Sequence, residues 1–570
     1  MVRHALAVSV AAAGLSACRD AATTVAPAAA DDTPWFRDMA AASGLTFVHT
    51  NGASGRYFYP EILGPGVALL DYDADGDLDV FLPQGAPLAT AAPPTTTAVT
   101  ARLYRNDLAV APDGTRRLRF TDVSSGSGLV GPHFALGAAT GDVDNDGRVD
   151  LYVTGVGGNQ LFRNNGDGTF ADITAASGAA NRGGLAVSAA FIDVDRDGWL
   201  DLYVANNVDY RPDNRTVCPN PAGAPDYCPP QIYGGQRDRL YRNGGGGRFR
   251  DVTATALPGL VARPGLGIST ADFDGDGWLD IFVANDGEPD FLWMNQRDGT
   301  LKEAGLPAGV ALTAEGRAEA SMGVDAGDFD NDGDEDLMVT ELTGQGTNLF
   351  INDGAARFRD LSAASGLGGA SSPYTGWGTA WFDYDNDGWL DVLAVNGTII
   401  AQEGRTASAF PYDQRKLLFR NLGSGRVEAV TARAGPALAG SASGRGAAFG
   451  DVDNDGDIDV LIGNDSGPVE LLVNHIGDDA HWLGLRLTGR DGRDMLGARV
   501  AVVRAGQPVL WRRARSDGSY GSANDPRVLV GLGASSAAAM VRVRWPDGQE
   551  EAWPSVPANT WTTLTQGSDR

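Results

Sequence analysis

The sequence predicts an all-β chain: a seven-bladed β-propeller with cation-binding hairpin loops, followed by a small C-terminal β domain. Three observations predict it. The nonapeptide Asp-x-Asp-x-Asp-Gly-x-x-Asp recurs seven times, beginning at Asp71, Asp142, Asp193, Asp272, Asp328, Asp383 and Asp451. Each copy stands between a Gly/Ala-rich apolar segment and an alternating apolar run, the pattern of two strands joined by a loop. With 77 glycines, 29 prolines and only two lysines, Lys302 and Lys416, the composition favours turns over helices.

The 570 residues carry 45 basic against 73 acidic side chains, a net charge of −28. Such a surface repels phosphate backbones and anionic lipid headgroups, which argues against a nucleic-acid partner and leaves cations as natural partners. After the first twenty positions no apolar run is long enough to span a bilayer.

In chain order, Met1-Val2-Arg3-His4 is followed by an apolar run from Ala5 to Leu15 and then by Leu15-Ser16-Ala17-Cys18. This reads as an export signal over residues 1–18, and its end resembles the bacterial lipobox, which makes Cys18 the expected lipidation site. Residues 19–34 read as a flexible tether. The expected location is the cell envelope, outer membrane or cell surface, with the lipid as the sole membrane contact.

Residues 35–476 hold the propeller. After each nonapeptide comes a Leu-x-x-Asn segment: Leu103–Asn106, Leu161–Asn164, Leu240–Asn243, Leu292–Asn295, Leu349–Asn352, Leu418–Asn421 and Leu471–Asn474. Phe-x-Asp follows as Phe120–Asp122, Phe170–Asp172, Phe249–Asp251 and Phe358–Asp360, giving four strands per repeat. The seventh repeat lacks this last segment, while an orphan Phe36-Arg37-Asp38 precedes the first, so residues 35–39 are expected to close the ring as the final strand of the seventh blade.

The loops carry the chemistry. Alternate aspartates can converge on one hard cation, glycine at the sixth position permits a sharp turn with positive φ, the seventh residue can offer its carbonyl, and the ninth aspartate closes the shell in bidentate fashion. The expected ligand sets are Asp71, Asp73, Asp75 and Asp79; Asp142, Asp144, Asp146 and Asp150; Asp193, Asp195, Asp197 and Asp201; Asp272, Asp274, Asp276 and Asp280; Asp328, Asp330, Asp332 and Asp336; Asp383, Asp385, Asp387 and Asp391; and Asp451, Asp453, Asp455 and Asp459. Calcium, up to seven ions, is the expected cofactor. An EF-hand is excluded because its twelfth position needs a glutamate and here holds an apolar or small residue.

Two insertions, residues 84–100 and 209–237, lengthen the first and third repeats and are the expected recognition surfaces. The second contains Cys218 and Cys228, which can pair in an oxidising compartment; a zinc site lacks ligands, since none of the five histidines lies between residues 134 and 474. Residues 477–570 read as a separate β domain with strands at Trp482–Leu487, Ala498–Arg504, Val509–Arg515, Arg527–Leu532, Val541–Trp545 and Trp561–Leu564, and with turns at Asp517-Gly518 and Asp547-Gly548.

These loops resemble the FG-GAP/VCBS repeats of integrin-α-type propellers. His481-Trp482-Leu483, Gly497-Ala498-Arg499-Val500, Ser519-Tyr520-Gly521-Ser522, Gly531-Leu532-Gly533 and Trp545-Pro546-Asp547-Gly548 are similar to the ASPIC/UnbV domain. Together they resemble bacterial relatives of the cartilage acidic protein family. The resemblance implies a secreted or surface-tethered calcium-binding protein, with adhesion or matrix contact among the roles of its members.

The function expected is therefore a lipid-anchored calcium-binding scaffold that presents its loops to a protein or glycan partner and is not an enzyme. The alternative is an exported lyase or hydrolase that uses the propeller channel, with His49, His133 and Glu61 as acid/base candidates. Trp199, Trp278 and Trp389, at the seventh loop position, could stack on sugars or pack against the next blade.

Overall fold

Each apolar segment, aspartate loop and alternating run folds as two antiparallel strands joined by the loop, and the Leu-x-x-Asn segment adds a third strand. The computed structural model describes residues 34–88, 101–131, 134–211, 213, 216–400 and 412–568; Cys18, the leader and all but the end of the tether, residues 89–100 of the first insertion, and His133 lie outside them. Among the described residues the propeller comprises seven four-stranded antiparallel sheets. Their innermost strands are Ala68–Leu70, Ala135–Gly141, Ala186–Ile192, Gly265–Ala271, Val324–Gly327, Gly376–Phe382 and Gly444–Gly450. Each packs against the next, and the last packs against the first, so the sheets form a closed ring.

The ring closes as the orphan segment predicts. Phe36–Asp38 is the outer strand of the seventh blade, with Phe36 opposite Asn474 and Asp38 opposite Leu472. Two outer strands without the Phe-x-Asp signature, Leu301–Glu303 and Val427–Ala429, complete the fourth and sixth blades. They pair with their neighbours through backbone groups, which explains why a side-chain motif is dispensable there.

The glycines ahead of the loops are required by crowding at the axis. A Cβ on Gly323 would stand 1.9 Å from the Trp377 carbonyl oxygen, and one on Gly66 would stand 1.8 Å from that of Gly521. Apolar side chains from adjacent blades fill the space between sheets, such as Ile192, Tyr203, Ile268 and Trp293 between the third and fourth.

The C-terminal segment forms two further sheets. One has His481–Thr488 between Val528–Gly533 and Trp561–Thr565; the other runs Leu510–Arg513, Arg499–Val503, Ala539–Arg544, Glu550–Val556, the last of these not foreseen from the sequence. Leu483, Val500, Val541 and Trp545 are buried between them. Asp547-Gly548 is a tight turn as expected, with Gly548 N–H bonded to Trp545.

Pro34–Arg570 forms one compact unit. One expectation needs correction: Asp517-Gly518 is not a hairpin turn, because the strands on its two sides belong to different sheets. It opens a loop, Ser516–Asp525, that enters the propeller axis. There Leu69, Ala138, Ser188, Thr270, Val324, Thr379 and Ala447, one residue from each innermost strand, hydrogen-bond to it. Tyr520 reaches furthest and donates its hydroxyl to the Leu63 carbonyl at 2.9 Å.

Candidate metal centres

In every loop the sixth residue, glycine, has φ between 82° and 101°, as the turn requires. The fourth residue is also left-handed: Ala74, Asn145, Arg196, Gly275, Asn331, Asn386 and Asn454 have φ between 55° and 70°. Asparagine tolerates this region better than most side chains, which accounts for its appearance there. The curl gathers the aspartates. Oxygens of Asp142, Asp144 and Asp146 lie within 4.8 Å of one another, as do those of Asp193, Asp195 and Asp197, of Asp272, Asp274 and Asp276, of Asp328, Asp330 and Asp332, and of Asp71, Asp73 and Asp79.

The donor set fits a hard divalent cation. Every loop buries at least one carboxylate oxygen that has no hydrogen-bond partner: Asp71 Oδ1, Asp144 Oδ1, Asp193 Oδ1, Asp272 Oδ1, Asp330 Oδ1, Asp385 Oδ1 and Asp453 Oδ1. An orphaned buried carboxylate oxygen is costly unless a cation meets it. Burial pushes the first-position carboxyls up to about 6 at Asp71, Asp142, Asp193 and Asp272, about 7 at Asp328 and Asp451, and about 8 at Asp383. Such groups are poised to exchange a proton for a metal.

The ninth aspartate does more than complete a shell. Its Oδ1 accepts the backbone N–H of the asparagine that ends the third strand, from Asp79 with Asn106 to Asp459 with Asn474, at 2.7–2.8 Å in all seven blades. In six blades Oδ2 accepts the N–H of the second loop residue. With both oxygens engaged, this residue staples loop to sheet, and the bidentate role expected from the sequence competes with those bonds.

The same asparagine ties neighbouring blades. Its Nδ2 donates to the second-residue carbonyl of the preceding loop: Asn164 to Tyr72, Asn243 to Val143, Asn295 to Val194, Asn352 to Phe273, Asn421 to Phe329, Asn474 to Tyr384 and Asn106 to Val452. The fourth loop residue forms a second belt, donating to the glycine carbonyl of the next loop from Asn145 to Gly198, Arg196 to Gly277, Asn331 to Gly388, Asn386 to Gly456 and Asn454 to Gly76. Ala74 and Gly275 have no side chain to continue it.

The C-terminal segment covers this face with cations. Arg486 approaches Asp71 at 3.6 Å and Arg544 approaches Asp272 at 3.8 Å. Arg493, Arg499 and Arg512 donate to the carbonyls of Gly198, Gly333 and Gly388, and Arg527 donates to Asp451 O at 2.8 Å. Sequence spacing could not reveal these partners, because each lies at least 76 residues away.

The remaining candidates are placed as follows. His49 is buried, its Nδ1 accepting the Ser466 N–H at 3.2 Å and standing 3.6 Å from Asp465. Glu61 is 1% exposed and accepts from Tyr227 Oη and Phe58 N–H, and burial raises its carboxyl above the usual range. Trp199 and Trp389 are half-buried against the glycine turns at Gly245 and Gly423 of their own blades, and Trp278 lies under the Arg196 guanidinium at 4.3 Å. Cys218 and Cys228 form a disulfide, and Tyr210, Tyr227 and Tyr233 of that insertion pack with Tyr59 and Tyr520. These tyrosines anchor the insertion, while most of its other described residues are exposed. Among the described residues no helix is long and apolar enough to cross a membrane.

Residues 488–570 match the family described as ASPIC and UnbV, and residues 142–204, 232–283, 272–339 and 328–394 match the FG-GAP-like repeat. Three of those four matches begin on the first aspartate of a loop. Cartilage acidic protein 1 of Homo sapiens is 27% identical over 436 residues, covering 73% of this chain and 60% of the relative; that of Xenopus tropicalis is 26% identical over 438 residues, covering 73% and 62%. The match thus spans about 60% of the relatives' length. A lectin from Burkholderia pseudomallei is similar at 14% identity, covering 72% of this chain and 96% of its own with a TM-score of 0.41. The chain carries FG-GAP-like repeats and, at its C-terminal end, a segment that matches ASPIC and UnbV, and it is similar to cartilage acidic protein 1.

Proposed function

We propose that this chain is an exported, calcium-stabilised binding scaffold, tethered to the envelope through a lipid on Cys18, which presents its surface to a protein or glycan partner. One observation carries the calcium reading: all seven loops bury a carboxylate oxygen without a hydrogen-bond partner beside other carboxylates. Calcium takes six to eight oxygens at about 2.3–2.6 Å, and the first, third, fifth and ninth aspartates would hold it. When bound, it supplies charge neutralisation and fixes the loop. The chain's own residues position the loops, through the asparagine staples and the C-terminal arginines.

Binding is favoured over catalysis by the state of the axis. A propeller enzyme working in its channel needs that channel open to substrate, and here Ser516–Asp525 bonds to every innermost strand. His49 and Glu61 are buried and hydrogen-bonded to protein groups.

Metal analysis and thermal melts of the chelator-treated and calcium-reloaded protein test the reading. About seven ions per chain with a large rise in melting temperature is the expected result. Little calcium, or no shift on chelation, refutes it. Cys18→Ser is expected to release the protein from membranes, and retention there refutes the anchor.

A further inference from the structure

The second strand of each blade leads away from the ninth aspartate of its loop, and the residue five positions past that aspartate follows a pattern. In the third, fourth, sixth and seventh blades it is asparagine: Asn206, Asn285, Asn396 and Asn464 donate Nδ2 to the carbonyls of Arg237, Pro289, Arg415 and Pro468 further along the chain. The fifth blade breaks the pattern with Glu341, whose ionised side chain has no hydrogen to donate. At strand spacing Glu341 stands roughly 16 Å beyond Asp336, so it is remote from the ligand set of its own loop.

The surroundings of Glu341 are acidic. Ser321 Oγ lies 3.1 Å from Glu341 Oε1 and 3.0 Å from Asp290 Oδ2, while Asn348 Nδ2 donates to Glu341 Oε1 at 3.1 Å and to Glu319 Oε2 at 2.9 Å. A serine hydroxyl has one hydrogen, so it satisfies only one of the two carboxylates it touches. Glu341 is 1% exposed and Asp290 5%, and Glu341 Oε2, on the same carboxylate, has no hydrogen-bond partner. The charges that bear on Glu341 are those of Asp290, Glu319 and Asp286, all of one sign, and burial adds to them in pushing its carboxyl well above the usual range. The Arg263 guanidinium, which favours ionised Asp290, is held by the Pro289 carbonyl at 2.8 Å and over the Phe291 ring. An orphaned oxygen on a buried carboxylate among other carboxylates is costly unless a cation meets it. Oxygens about 3 Å apart, as Ser321 Oγ is from both acids, are neighbours in the shell of an ion held at about 2.3–2.6 Å.

We propose that Glu341, Asp290 and Ser321 bind a hard divalent cation between the fourth and fifth blades, with half-buried Glu319 at the rim, as a site apart from the seven aspartate loops. Its donors are all oxygens, and two carboxylates neutralise one such ion, which favours it over a soft metal. Asp290 precedes the third strand of the fourth blade, and Ser321 and Glu341 belong to the fifth, so the ion joins two blades.

Crystals of the calcium-saturated full chain, measured at long wavelength, test the site. Anomalous density is expected between Glu341 and Asp290, separate from any in the aspartate loops. Glu341→Asn installs the residue that four other blades carry at this position, and Asp290→Asn keeps an oxygen for the Asn285 N–H that Asp290 Oδ1 now accepts. Each variant is expected to lose that density and one calcium ion per chain by metal analysis, with the loop density unchanged. No density at this position in the parent, where Glu341 and Asp290 would then share a proton instead, or density and stoichiometry unchanged in both variants, overturns the proposal. The aspartate loops are read in the same maps, so this site and the calcium-held loops can fail independently.

Discussion

Asn106 Nδ2 donates to the carbonyl of Val452 at 2.8 Å across 346 residues, joining the first blade to the loop of the seventh. It is one of seven equivalent bonds, and it marks the seam where a chain that runs blade by blade must meet its own beginning. The Phe36–Asp38 strand secures the same seam from outside.

Replacing Asn106 with leucine leaves a buried carbonyl unpaired, which should cost about 1–3 kcal/mol in chemical denaturation. The same change at Asn295, away from the seam, should cost a similar amount without loosening Phe36–Asp38. Hydrogen exchange of residues 36–38 separates the two variants, and equal protection in both would show that the asparagine ring does not govern closure.

Asp272→Ala with Asp274→Ala removes the first and third oxygens of one loop. The expected outcome is one fewer calcium ion per chain, with the fourth blade loosened and the other loops still loaded. Unchanged stoichiometry by metal analysis would exclude these residues as ligands.

Calcium-free protein should lose stability as pH rises. Burial pushes Asp79 up to about 9, and Asp150 and Asp201 to about 8, while Asp238 and Asp286, outside the loops, rise to about 7. Between the ordinary carboxylate range near 4 and these values, the folded state holds protons that the unfolded chain has released, so stability is fullest at the acid end and is lost as pH climbs toward 9. Bound calcium should stabilise the carboxylate form and flatten the dependence. Melts from pH 5 to 9 with chelator and with calcium give the comparison, and parallel curves would count against metal in the loops.

Tyr520 is fully buried on the axis and meets Trp377 edge-on at 4.8 Å between centroids. Tyr520→Ala should cost about 3–5 kcal/mol, the range for large buried aromatics, and Tyr520→Phe only the smaller share owed to its bond with Leu63. Urea denaturation measures both. If the alanine variant were as stable as the parent, the axial loop would be a passive filler.

What the sequence determined by itself was the repeating unit. Four aspartates and a glycine at fixed offsets, a Leu-x-x-Asn strand and a displaced Phe-x-Asp specify loops, strands, their number and the strand that closes the ring, because turn geometry and strand alternation are local and recur. The third-strand asparagine was visible as a repeated letter, but its partner on the preceding blade was not. Tertiary structure alone decided the rest: the arginines over the loops and the Ser516–Asp525 plug. Each arises where residues far apart in the chain share one face, and neither spacing nor composition encodes which distant backbone a side chain will meet.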